Sequence, residues 1–303
     1  MGMLANKAVV ITGSGRGIGA AYARECAAYG AKVVVSDLDA DVMTAVVDDI
    51  TAAGGIAIGE QADVTSSEDC DRLIDRCVSE FGTIDGLVNN AGMYRVGRID
   101  EQPEAEVRLL VEANVVGAFL CTAAAVRRMR TQGHGSIVNI TSGAHTGLPL
   151  MGLYGATKGA VASATYGWSL ELAPLGIRVN AASPNAVTRM TTVVQDYLIE
   201  HDLPLYKAEQ PAPESNCPLV TFLLSDRSIG ITGQVIRIEN EQLAIMTHPA
   251  VLVPFPTHER WTAELVAEAF DIDLAARQQP VGVVGVENTV HDLASAMWAA
   301  EKA

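Results

Sequence analysis

Ala8-Val9-Val10-Ile11-Thr12-Gly13-Ser14-Gly15-Arg16-Gly17-Ile18-Gly19 is the stretch that decides how the rest of the chain is read. Its first five residues form a β-rich apolar run of the kind that fills a strand buried on both faces. Ile18, Ala21, Tyr22 and Cys26 then recur at helical spacing until Gly30 supplies a stop. Lys32-Val33-Val34-Val35-Ser36 reads as a second buried strand, so residues 8–36 predict one βαβ unit. A glycine-rich turn between strand and helix lets the backbone approach a pyrophosphate at the helix N-terminus. Gly13, Arg16, Gly17, Ile18 and Gly19 are the candidate contacts. Asp37, at the end of the second strand, stands 18 residues past Gly19. A carboxylate there can accept both ribose hydroxyls of NAD and would repel the 2′-phosphate of NADP. Arg16 pulls the other way, because a base in this loop could pair with that phosphate. The directness of the acid's opposition favours NAD.

Working outward, apolar runs at residues 56–58, 84–88, 135–140, 177–180 and 234–238 alternate with helical stretches at 67–81, 104–130 and 154–175. This alternation predicts an α/β fold, a Rossmann-like doubly wound parallel sheet with helices on both faces. Ligands then bind at the carboxyl ends of the strands, where strand order reverses. Residues 188–216 carry Pro204, Pro211 and Pro213 around a short helical patch at 193–200, as a lid over the open edge would. After Ile238 the chain continues to residue 303. Val251-Leu252-Val253-Pro254-Phe255-Pro256 has too much proline for a central strand. Residues 261–270 and 291–300 have helical periodicity. We expect a dinucleotide-binding catalytic domain over 1–240 and a C-terminal extension over 241–303, which could cap the pocket, dock on a neighbouring subunit or extend the surface.

Composition bounds the function. With 49% hydrophobic and 19% charged residues the chain is globular. A net charge of −15 argues against nucleic acid and against an anionic membrane face as partners. Five cysteines without CxxC spacing read as buried thiols of a reducing compartment. The opening residues lack the apolar stretch of a signal peptide, and no run of about 18 apolar residues suggests a membrane span. The expected location is cytoplasmic. The six histidines show no ligand spacing, and no metal is expected.

Tyr154-Gly155-Ala156-Thr157-Lys158 places a phenol and an amine one helical turn apart. An ammonium about 4 Å from a phenol is worth roughly 4 kcal/mol at an effective dielectric near 20, or about three pKa units. That would bring tyrosine into the range of a general acid/base.

At this point the chain resembles the short-chain dehydrogenase/reductase family over about residues 7–238. Thr12-Gly13-x-x-x-Gly17-x-Gly19 is similar to the family's glycine loop, and Asn89-Asn90-Ala91-Gly92 to its turn beside the adenosine. Asp63-Val64 matches the pair that meets the adenine ring, and Pro184 to Thr188, including Val187, the segment over the nicotinamide carboxamide. Asn114, Ser142, Tyr154 and Lys158 fall in the register of the family's catalytic tetrad. The resemblance implies an oxidoreductase exchanging a hydride between NAD(H) and a secondary alcohol or ketone. Tyr154 would move the proton on oxygen, Ser142 would hold the substrate oxygen, and Lys158 would bind the ribose. Asn114 would bind a water that links Lys158 to bulk solvent. It also implies a homo-oligomer, a dimer or homotetramer, built through the helices near Asn114 and Tyr154.

Met93, Ala144, His145, Leu148, Met151 and Asn185 are substrate-pocket candidates by position. Their apolar majority fits a hydrophobic ketone or secondary alcohol. Asn185 replaces the glycine most relatives carry after the proline, and residues 183–190 resemble the same segment in the hydroxyacyl-CoA dehydrogenase part of peroxisomal multifunctional enzymes. An acidic tail disfavours the phosphates of coenzyme A. NADP-dependent ketone or 3-oxoacyl reduction is the alternative chemistry, and a non-catalytic dinucleotide sensor or scaffold is the alternative of another class.

Overall fold

The computed structural model describes residues 2–186, 189–204, 211–239, 241–279, 281–282, 293 and 295–297. Eight strands make one sheet: β1 (Ala8–Thr12), β2 (Lys32–Ser36), β3 (Ile56–Gly59), β4 (Gly86–Asn89), β5 (Gly135–Ile140), β6 (Ile177–Pro184), β7 (Val235–Glu239) and β8 (Gln242–Ile245). Their order is β3-β2-β1-β4-β5-β6-β7-β8. β1 to β7 are parallel, and β8 returns antiparallel on β7. The chain leaves β1 toward β2 on one side and rejoins it through β4 on the other. This reversal opens a crevice at the carboxyl ends of β1 and β4.

Every residue of β1 is buried, because helices cover both faces. Val9, Ile11, Val33 and Val35 pack with Tyr22 and Cys26 of α1 (Gly17–Ala28) and with Val46 and Ile50 of α2 (Ala40–Ala52). Val10, Val34 and Leu87 face the other way, onto Leu73 and Ile74 of α3 (Ser67–Phe81). Local chemistry sets the ends of these helices. Asp39 accepts from the backbone N–H groups of Asp41 and Val42 to cap α2, a contact worth about 1 kcal/mol. Ser66 accepts from Asp69 N to start α3, and Gly82 ends it in the left-handed region, where a side chain would be strained.

The sequence predicts one uninterrupted helix near residues 104–130. The rod is continuous, but it comprises α4 (Glu104–Val111), a π-helical turn (Glu112–Val116) and α5 (Gly117–Gln132). The wide turn carries Asn114, whose side chain binds the backbone of Met93 on both its N–H and its C=O. A turn of this kind shifts the hydrophobic pattern by only one residue, and it is common at functional sites. The rod also holds an 18-residue window of mean hydropathy 1.9, apolar enough to cross a membrane by composition. The run-length reading passed over it because Glu112 and Asn114 interrupt the apolar run. Cys121, Ala124, Ala125 and Met129 of the rod pack against α3 and the sheet.

α6 (Gly152–Leu172) starts two residues before its predicted first residue, and the short turn Ala173–Leu175 completes the predicted stretch. The helical patch before Glu200 is α7 (Arg189–Glu200), and α8 (Cys217–Leu224) precedes β7. In the extension, α9 (Ala263–Ile272) matches the first periodic stretch, and Val251–Pro256 forms no strand, as its prolines predicted. Most of the second stretch lies outside the described residues; Leu293 and residues 295–297 are helical. β8 was not foreseen. Its residues are all exposed, so no buried face writes a two-residue period into it. All five cysteines are free and buried.

A buried polar chain fastens α6 to the sheet. Asn89 Nδ2 donates to Thr122 Oγ1 and to Asn139 Oδ1, and Asn139 Nδ2 donates to Thr165 Oγ1, each at 2.9 Å. Asn139→Ala would take one hydrogen bond from each of two buried neighbours, Asn89 and Thr165, at about 1 kcal/mol per bond. The expected result is a lower urea midpoint with an unchanged slope; an unaltered midpoint would show that the chain does not hold α6.

Candidate active site

The crevice at β1 and β4 is built by backbone and small residues. Thr12 Oγ1 accepts from the N–H groups of Asn90 and Ala91, at 3.1 and 3.0 Å, and donates to Val88 O. Asn90 Nδ2 donates back to Thr12 O and Gly13 O. These bonds lock the glycine loop against the turn after β4. Gly13 has φ +60°, and a Cβ on it would come within 2.7 Å of Ala91 Cα. A Cβ on Gly19 would lie 2.3 Å from Gly13 O, and one on Gly92 2.9 Å from Asn114 Oδ1. α1 begins after Arg16 with no side-chain cap and no acid in its first turn. Its first N–H groups are therefore free for an anion, and the cradle fits a dinucleotide pyrophosphate.

Asp37 adjoins the same loop. Its Oδ2 accepts from Gly15 N at 3.0 Å and its Oδ1 from Asp39 N at 3.2 Å. Arg16 is ion-paired with Asp39, the cap of α2, so its charge is already balanced within the protein. Asp63 accepts from both the N–H and the hydroxyl of Thr65 and shapes the turn after β3. Val64 lies against Gly117 at the start of α5. Ile18 packs on the core layer beneath α1.

The four tetrad residues converge. Tyr154 and Lys158, on α6, are 8% and 5% exposed, and Asn114 is 2% exposed. Ser142, at the end of β5, hydrogen-bonds the Tyr154 phenol and also accepts from Ala144 N. Asn114 Nδ2 donates to Thr157 Oγ1, and Thr157 donates to Tyr154 O. Lys158 Nζ donates to Ile140 O at 2.8 Å and lies 5.8 Å from the centre of the Tyr154 ring. A Cβ on Gly92 would sit 3.5 Å from this Nζ, which places the amine beside the glycine cradle.

The sequence-based expectation of an acidic phenol is corrected here. Burial pushes Tyr154 up to about 12, and the Ser142 hydrogen bond offsets part of that. Burial brings Lys158 down to about 8. Desolvation of both groups outweighs their mutual attraction, since water is lost around each charge while the ammonium is turned toward a carbonyl.

Apolar side chains surround the phenol. Leu110 and Ala144 are buried with it, and Met93, Tyr94, Leu148, Met151 and Leu153 pack on them. Four of the six pocket candidates therefore meet Tyr154. His145 is held through Nδ1 by Ser142 O and stands on the same loop. Asn185 is turned toward β7, where its Nδ2 donates to Glu239 Oε1 at 2.6 Å, and its backbone N–H donates to Asn216 Oδ1. Pro184 ends β6, and Val187 and Thr188 lie outside the described residues. Sequence reasoning missed Tyr94, which stands edge-on to Tyr154 with ring centres 4.7 Å apart. It also missed Thr12 as the clasp of the loop. Tyr94 sits two residues past Gly92, and that proximity was the available signal.

Comparisons with known proteins agree with this fold. The family model described as short chain dehydrogenase matches residues 7–198. A (2S)-[(R)-hydroxy(phenyl)methyl]succinyl-CoA dehydrogenase subunit of Thauera aromatica is 35% identical over 77% of this chain and 95% of its own. A 3-alpha-(or 20-beta)-hydroxysteroid dehydrogenase of Mycobacterium tuberculosis is 35% identical over 82% of this chain and 93% of its own. The crystal structure of a short chain dehydrogenase from Mycobacterium avium superposes with a TM-score of 0.82 at 31% identity. It covers 94% of this chain and 100% of that one, a span that takes in most of the extension. The chain belongs to the short-chain dehydrogenase/reductase family. It is an oxidoreductase of alcohols and ketones, and the family implies a nicotinamide dinucleotide cofactor.

The burial of Lys158 has a measurable consequence. Its pKa is about 8 in the folded chain against an ordinary 10.5, so the unfolded chain binds more protons between these values and stability rises with pH there. Below pH 8 the full penalty of burying the ammonium is present, on the order of 3 kcal/mol. Lys158→Met removes it. The variant's stability advantage over the wild type should be largest below pH 8 and shrink toward pH 10; a constant difference in urea unfolding would contradict a buried ammonium.

Proposed function

We propose that this protein transfers a hydride between NAD(H) and a hydrophobic secondary alcohol or ketone, with Tyr154 moving the proton on the substrate oxygen. The observation that carries the reading is the meeting of the Tyr154 phenol, its Ser142 hydrogen bond and the Lys158 ammonium beside the glycine cradle. When bound, the nicotinamide supplies hydride acceptance or donation. Ser142 and Tyr154 together hold the substrate oxygen, and Lys158 reaches the ribose from beside Gly92. Asn114 keeps the Met93 segment and Thr157 in place beneath them. Gly13, Arg16, Gly17, Ile18 and Gly19 form the pyrophosphate loop, and Asp63, Val64, Asn90, Ala91 and Gly92 line the adenosine side. Pro184, Val187 and Thr188 would close over the nicotinamide.

Asp37 supports NAD over NADP. Its carboxylate is held beside the loop, and the one base of that loop is neutralised by Asp39. Asp37→Ala should lower kcat/KM with NAD and raise it with NADP; unchanged coenzyme preference would remove Asp37 from this role. The apolar lining of Met93, Leu148 and Met151 and the name of the mycobacterial steroid dehydrogenase support a bulky hydrophobic substrate. A second reading, acyl-thioester chemistry, is favoured by the name of the Thauera relative, but the acidic tail opposes a polyphosphate substrate.

Residues 1–240 carry this chemistry, with 241–303 as an addition to them. The five buried thiols support a cytoplasmic setting. Phe119, Val111 and Leu170 are exposed on the two helices that would join subunits, which supports a homo-oligomer, a dimer or homotetramer. A monomer by light scattering would refute it.

Tyr154→Phe should keep NADH binding by fluorescence and lose about 10²–10⁴-fold in turnover. Because burial holds the phenol protonated at neutral pH, it is ready to act as an acid in ketone reduction. Alcohol oxidation needs the phenolate, so its kcat/KM should rise with pH beyond 9 while ketone reduction does not; parallel profiles would assign the proton to another group.

A further inference from the structure

We infer that the C-terminal extension closes the substrate side of this site within the same chain, and that Leu293 and Met297 limit the size of the apolar group the enzyme accepts. This rests on the proposed alcohol–ketone chemistry, because the wall concerned is continuous with the surroundings of Tyr154.

Two clusters carry the argument. Around Tyr154 lie Leu110 and Ala144 with Met93, Tyr94, Leu148 and Met151. A second cluster joins Leu150 of the loop before α6, Val194 and Leu198 of α7, and Leu293 of the extension, with Met297 packed against it. Tyr94 and Met151 belong to both, so one apolar layer runs from the phenol to the tail. Leu293 is 2% exposed and Leu198 0%. Burying a leucine this fully favours the docked position of the segment that carries it.

The extension touches the same loop at a second place. Gly282 N donates to Thr146 O at 2.7 Å, and Val281 lies against Gly147. The loop from Ala144 to Met151, which supplies much of the wall beside Tyr154, is thus held by the tail at both its ends.

The backbone of the loop points the same way. Leu150 has φ +64°, a conformation that costs a bulky residue energy, and its side chain is buried in the cluster that contains Leu293. Its carbonyl accepts from Gly97 N at 2.9 Å, which links the loop to the segment of Tyr94 and Val96. Side-chain burial against α7 and the tail offsets the strained backbone. Leu150, Val194, Leu198, Leu293 and Met297 present hydrocarbon and thioether surface, which suits an apolar substrate group.

The test compares kcat/KM for short and long aliphatic 2-alkanols with NAD⁺ in the full-length wild type and in Leu293→Ala and Met297→Ala. Removing these atoms should shift the long-to-short ratio by about 10-fold or more toward the longer alcohols, the scale on which methylenes are discriminated in apolar pockets. A ratio unchanged within about twofold in both variants would overturn the assignment. A second readout does not need turnover. In Leu293→Asp, amide hydrogen exchange at residues 94–97 and 146–151 should accelerate, because the undocked tail no longer covers them. Exchange identical to wild type would overturn the cap whatever the kinetics. Absence of turnover of any secondary alcohol by the wild type would count against the proposed chemistry alone, and the exchange result would then decide the cap.

Discussion

An ammonium buried under a strand-end carbonyl is the constraint on which the site depends. Lys158 sits inside the protein, and Ile140 O is its hydrogen-bond partner at 2.8 Å. Burying a charge is tolerated when it is hydrogen-bonded, and here it also demands that α6 be held against the end of β5. Thr141 provides part of that hold by donating to Lys158 O, and the Asn89–Asn139–Thr165 chain provides the rest deeper in the sheet. With α6 so placed, Tyr154 is delivered to Ser142 with little freedom.

The same packing explains why the phenol is not acidic in the free protein. Both members of the pair lose water, and that loss raises one and lowers the other. An apolar wall that suits a hydrocarbon substrate is necessarily a poor solvent for a phenolate. The wall, the proton group and the fold's packing are one physical arrangement. The extension fits into it as a further apolar layer, since Leu293 buries against residues that also touch the neighbours of Tyr154.

Much of the fold was legible in the chain. The β-branched run at residues 8–12 and the glycines after it announced a parallel strand feeding a helix, and each further strand of the parallel set appeared where an apolar run had marked it. The π-helical turn at Asn114 was not legible, because it shifts the apolar pattern by only a single residue. β8 was not legible either, because an exposed edge strand carries no buried alternation. The tetrad was readable as motifs in order, whereas Tyr94 was missed because an aromatic two residues past a glycine turn has no spacing rule.

What the amino-acid sequence determined alone is local: periodicity, turn chemistry, caps, and the pairing of a phenol with an amine one turn away on a helix. Such features arise between near neighbours, where covalent geometry dictates distance. The tertiary structure alone decided that Lys158 faces Ile140, that Arg16 is balanced by Asp39, and that Leu293 returns to Leu150 across nearly half of the chain. Those contacts set the protonation of the site and the shape of its apolar wall. Desolvation and packing depend on everything that surrounds a group, and no spacing along the chain encodes that.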